Sequence, residues 1–179
     1  MPPLFDTPAR YGLVSRAFHW AMAALFAAQF LSAAAHWGLA RENPARELLW
    51  SYHVSLGTTL FLLVLLRGLW GLANIPRRPH DSGVAGLAAV AGHVALYALM
   101  VIVPGVRLLG AAGSTRGLNY FGIPVFPARE TEIAWMQVPA EWHGELGWIL
   151  ALLVVGHIAM ATIWHRLIRR DTVMLRMAG

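Results

Sequence analysis

Four histidines, His19, His53, His143 and His157, are the residues of this chain best placed to do chemistry. Each stands in a stretch apolar enough to cross a membrane, where an imidazole is costly unless it has a partner. His143 and His157 are fourteen residues apart on one predicted helix. A rise of about 1.5 Å per residue separates them by roughly 21 Å along the axis, and about 100° per residue leaves them within about 40° of each other on one face. One helix thus presents two ring nitrogens at two depths toward the same side. That suits two stacked haems, each held between this helix and a neighbour.

The elements that must position these rings follow from composition. The chain is 58% hydrophobic and 13% charged, far from an ordinary soluble domain. Apolar segments cover about residues 18–37, 48–70, 84–106 and 146–167. Each is near the twenty residues that cross about 30 Å of hydrocarbon, and only helices are plausible spans at this length. The expected fold is an all-α membrane protein, a four-transmembrane-helix bundle making one domain over residues 1–179, with the lipid bilayer as its surroundings. Pro104 and Gly105 are expected to kink or end the third helix. There is no cysteine, which excludes disulfides, iron–sulfur clusters, c-type haem attachment and thiolate metal sites. There is no lysine, so all fourteen positive charges are arginine. The arginines flank apolar spans and form no stripe, so the net charge of +5 does not point to a nucleic-acid partner. No cleavable signal peptide is expected, because the first apolar run has a long polar lead and no small-residue cleavage site.

Charge sets an expected topology. The amino terminus, the loop from Arg67 to Ser82 and the carboxyl tail share one side and carry nine arginines against three aspartates. The other side carries Arg41, Arg46, Arg107, Arg116 and Arg129 against six glutamates. The arginine excess places both termini in the cytoplasm. His19 and His157 then lie toward the cytoplasmic side, and His53 and His143 toward the outer side. The depths match in two pairs, which supports bis-histidine ligation of an inner and an outer haem.

Neighbouring residues admit two readings each. His53 and His143 both have a glycine one turn on, Gly57 and Gly147, in HVSLG and HGELG. A missing side chain there would let a porphyrin plane approach, or simply let helices pack closely. Arg67, fourteen residues after His53, either pairs with a propionate of the inner haem or snorkels to the headgroups. Arg107 could serve the outer haem in the same way. His93 could bond a propionate, line a quinone pocket, or hydrogen-bond a neighbouring helix. His165, among Trp164, Arg166, Arg169 and Arg170, is a candidate proton donor to a quinone, or an interfacial residue. His36 and His80 look like surface residues. The stretch from Leu108 to Trp142 is long for a loop, and its aromatic run LNYFGIPVFP suggests a folded cap over the outer haem.

The opening SRAFHW, the HVSLG…LLR motif, GH followed by Tyr97, the His143/His157 pair and the ending RRDTVMLRM together resemble the bacterial cytochrome b561 family over essentially the whole chain. That resemblance implies a four-helix membrane bundle holding two haems b, ligated by His19, His53, His143 and His157. It also implies a compact single-subunit branch that oxidises superoxide and reduces ubiquinone; the short tail and the FGIPVFP loop favour that branch. The family usually carries lysine in its tail, and this chain has arginine there. The leading expectation is a bacterial inner-membrane oxidoreductase passing electrons from periplasmic superoxide to ubiquinone, with a homodimer as a candidate assembly. One alternative is an electron-relay and anchor subunit of a hydrogenase or dehydrogenase complex. Another is a haem-free transporter, which the absence of acidic residues at mid-membrane disfavours.

Overall fold

The computed structural model describes residues 3–79 and 83–178; His80 lies outside them. Four helical stretches are long and apolar enough to cross a membrane: Leu13–Gly38, Pro44–Arg77, Gly83–Ala112 and Ala134–Arg169. The first is α1. The second comprises α2 (Pro44–Ser51) and α3 (His53–Asn74), closed by a short 3₁₀ turn. The third is α4, and the fourth comprises α5 (Ala134–Glu141) and α6 (His143–Ala159). Beyond Ala159 the chain winds on as a π-helix to Arg169, and α7 (Val173–Ala178) follows. The molecule is a mostly helical four-helix membrane bundle.

The bundle is held by a narrow seam to which every long helix contributes. Met22 of α1, Leu60 and Val64 of α3, Met100 and Val103 of α4 and Leu150 of α6 form one buried cluster. Around it, large apolar side chains point outward; Leu152 is 71% and Leu69 65% exposed. So much outward apolar surface is stable only against lipid. α1 packs on α3, α3 on α4 and α4 on α6.

The third helix does not end at Pro104. It continues through the proline to Ala112, so of the two expected outcomes, a kink or an end, the end does not occur. Proline removes one backbone donor, and membrane helices tolerate that because neighbours satisfy the freed groups and no water competes. Beyond α4, Leu118–Tyr120 (β1) and Ile123–Phe126 (β2) pair antiparallel. Phe121 and Gly122 link them, both with positive φ (47° and 82°), as a type I′ hairpin turn requires. The Tyr120 hydroxyl meets Thr59 Oγ1 at 3.0 Å and docks the hairpin on α3.

The end of the bundle bearing both termini is closed by them. Asp6 is 2% exposed; it accepts the Gly12 N–H at 2.8 Å and pairs with Arg78 Nε at 3.0 Å. Buried Asn74 lies beside it, its Oδ1 facing the Asp6 N–H at 3.4 Å. Phe5 stacks on Trp70. From the other terminus, the carbonyls of Ala178 and Met177 accept from Arg16 and Trp20.

Candidate functional site

The histidines at the distal end come from a repeated local design. α2 and α5 are each eight residues long. One helical-region residue follows each, Tyr52 or Trp142, and then a new helix opens on histidine. The break re-aims the chain, so His53 and His143 face each other across the bundle, with ring centres 6.2 Å apart. At the terminal end His19, in the second turn of α1, faces His157, near the end of α6, with ring centres 6.3 Å apart. Imidazole bonds to first-row metals are about 2.0–2.1 Å, and a ring centre lies about 1.1 Å behind its ligand nitrogen, so two imidazoles on opposite sides of one metal would have centres about 6.3 Å apart. Both pairs have that spacing.

The hydrogen-bond partners at the distal pair decide which nitrogen is free. A carbonyl can only accept, so His143 Nδ1–H donates to Val103 O at 2.8 Å and leaves the Nε2 lone pair available. The Ser32 hydroxyl donates to Gln29 O at 2.7 Å, so its oxygen accepts from His53 Nδ1–H at 2.8 Å. His53 Nε2 then bears the lone pair, and the Gln29 side-chain amide donates to it at 3.1 Å; a metal would displace that amide. The tautomers are those of metal-ligating histidines oriented from their far side.

A cavity of about 270 Å³ opens between these rings, lined by residues of α1, α2, α3, α4 and α6, including Gly57 and Gly147. A Cβ added at Gly147 would meet nothing nearer than Val103 Cγ1 at 4.0 Å, so it would project into open cavity. At Gly57 it would lie 3.1 Å from Gln29 Nε2. Gly147 thus leaves room in the cavity, whereas Gly57 allows the close approach of Gln29. None of the described lining residues comes from the stretch between α4 and α5, so the hairpin there packs on α3 and not over this cavity.

His36 is the residue that the sequence reading misplaced. It lines the cavity and stacks on Trp50, ring centres 3.8 Å apart, while Trp50 stacks on His53 at 4.4 Å. Arg46 donates to its carbonyl and to its Nε2, which leaves Nδ1–H as a buried donor with no partner among the described residues. An orphaned donor backed by a guanidinium fits a carboxylate, such as a haem propionate. Arg107, expected in that role, is exposed and does not line the cavity. Spacing carries no signal for His36, because seventeen residues after His19 put it about 100° round the helix from that face.

At the terminal end, Arg67 lies over the Tyr97 ring at 5.6 Å. Arg16 Nε, one turn before His19, is buried without a partner among the described residues. His93 approaches His157, ring centres 5.4 Å apart, but its Nδ1–H bonds Ala89 O of its own helix at 2.6 Å, not a neighbouring helix. His165, in the π-helical turn, donates from Nδ1 to Asp171 Oδ2 at 2.8 Å. Asp171 accepts the Val173 N–H through its other oxygen, and the His165 contact holds its carboxyl below the usual range. Asp171 escaped the sequence reading, although an Asp-Thr pair before a short helix is a capping signal.

Comparison with known proteins agrees with this chemistry. Residues 10–179 match the family described as prokaryotic cytochrome b561. The chain is also similar to cytochrome b561 homolog 2 of Escherichia coli strain K12, at 31% identity over 97% of this chain and 94% of that protein. The chain belongs to the prokaryotic cytochrome b561 family, multi-pass membrane proteins that transfer electrons through b-type haem.

Proposed function

We propose that this protein is a di-haem b oxidoreductase of the bacterial inner membrane that passes electrons from superoxide on the outer face to ubiquinone. One observation carries the reading. Two histidine pairs, each at the spacing of a shared metal, stand at the two ends of one bundle and are joined along α6. His19 and His157 would hold one haem, and His53 and His143 the other. Held by paired histidines, haem would supply one-electron exchange.

The arginine excess around the termini supports a cytoplasmic location for them, which makes the His53/His143 end the outer one. Arg41, Arg46, Arg107, Arg116 and Arg129 would draw the superoxide anion to that face. Each superoxide gives up one electron and leaves as dioxygen. Ubiquinone takes two such electrons and two protons at the opposite face and becomes quinol. His165, which bonds Asp171, would hand over a proton there.

Stopped-flow mixing of the purified holoprotein with superoxide tests this. The haem bands should reduce on mixing and reoxidise when ubiquinone is added. Haems that ignore superoxide but accept electrons from a separate dehydrogenase subunit would instead make this a relay subunit. A reporter enzyme active only in the periplasm tests orientation. It should be silent when fused after the carboxyl terminus and active when inserted at Gly122, the open tip of the hairpin.

A further inference from the structure

We infer that the haem between His53 and His143 has the lower reduction potential of the two, and that Ser32 is a positioning residue that keeps it so. The inference rests on the paired-histidine reading above. It follows from what stands behind each ligand. An imidazole whose Nδ1–H is held by a good acceptor becomes more basic and donates more strongly to its metal. Stronger donation favours ferric over ferrous iron and lowers the potential.

Both distal ligands have such an acceptor. His143 has the Val103 carbonyl at 2.8 Å. His53 has the Ser32 oxygen at 2.8 Å, and that hydroxyl is itself polarised by donating to Gln29 O. Ser32 is 1% exposed, so water does not compete for the contact. At the terminal end the ligands differ. His19 Nδ1 is buried without a partner among the described residues, and His157 makes no hydrogen bond among them. Arg67 lies over Tyr97, one turn along α4 from the His93 ring that approaches His157, and a nearby cation favours the reduced, less positive iron. The corresponding distal cation, Arg46, bonds His36, which is separated from His53 by the Trp50 ring. Both effects have the same sign, so an electron delivered at the distal end runs downhill to the terminal end.

Potentiometric titration of the purified holoprotein, following the haem absorbance, tests this. The wild type should show two waves. His143→Ala should abolish the lower wave. Ser32→Ala should move the lower wave upward, narrow the gap and leave the upper wave in place; Ser32→Thr, which keeps the hydroxyl, should restore the wild-type position. The inference is overturned if His143→Ala abolishes the upper wave, or if Ser32→Ala leaves the lower wave unmoved. If Ser32→Ala loads only one haem, Ser32→Cys substitutes a weaker acceptor and should give a smaller upward shift; no shift overturns the inference. If His143→Ala retains both waves, the ligand assignment has failed rather than the ordering.

Discussion

His53 and His143 each open a helix directly after a one-residue break, whereas His19 and His157 lie inside continuous helical stretches. The spacing between rings is nearly the same at the two ends, 6.2 and 6.3 Å. Their surroundings are not. The distal rings are hydrogen-bonded from behind and set around a cavity, with His53 stacked on Trp50. At the terminal end the tail carbonyls bond Arg16 and Trp20, on either side of His19 in sequence, and a third imidazole, His93, stands beside His157. Ring spacing determines what can be held, and the surroundings determine what the held group does. On the proposed reading, hydrogen bonds tune one end and charge the other.

The largest expected effect breaks the comparison outright. Gly147→Leu would drive a branched side chain into the distal cavity while leaving the terminal end untouched. Haem content should fall from two per chain to one, with the surviving low-spin spectrum that of the His19/His157 site. Retention of both haems would show that Gly147 serves only helix packing.

Next in size is the exchange of protons at the terminal end. A positioned acid or base is worth about 10²–10⁴-fold in rate. His165→Leu should therefore slow haem reoxidation by ubiquinone by about a hundredfold or more and leave reduction by superoxide unchanged. Asp171→Asn, which weakens the contact that orients the ring, should slow it less. Normal reoxidation in His165→Leu would move the quinone site elsewhere, with His93 the next candidate.

A smaller difference separates the two faces by salt. Attraction of superoxide by exposed arginines is long-range, and screening acts over about 10 Å in 0.1 M salt. Haem reduction should slow several-fold between low and physiological ionic strength, while reoxidation by quinone, a short-range event, changes little. Equal salt sensitivity at both steps would remove the argument for arginine steering.

The smallest effect is at acid pH. Asp171 has its carboxyl held below the ordinary value of 3.8, first by the His165 hydrogen bond. A depressed value means the contact contributes stability that is fully present above 3.8 and is lost as pH falls through the lower folded value. The site is exposed, so the contribution is modest. Limited proteolysis with an acid-active protease should open α7 only below that range, and Asp171→Asn should remove the acid dependence.

Much of the scaffold is legible from residues alone. Four apolar runs near twenty residues admit little but spanning helices, and the fourteen-residue step from His143 to His157 places two rings on one face of one helix. What escaped has specific causes. His36 reads as a surface residue because Trp37, Gly38 and Arg41 mark the end of a span; only the fold of α2 brings Trp50 and Arg46 back over it. Val103 as a hydrogen-bond acceptor is invisible, since any residue supplies a carbonyl. Ser32 reads as one small residue among the alanines of α1. Asp6 looks like a solvated lead residue, yet Arg78, from the far end of α3, arrives to pair with it. Pro104 was read by the rule for soluble helices, which lipid relaxes.

The most direct test of two separate histidine-paired sites is the haem content and spectrum of wild type, His143→Ala and His157→Ala purified side by side. The expected result is two low-spin haems in the wild type and one in each variant. The two variants should lack different haems, so that their spectra together reproduce the wild type. A His143→Ala protein that keeps two haems with unchanged spectra would contradict the paired arrangement on which the proposed electron path depends.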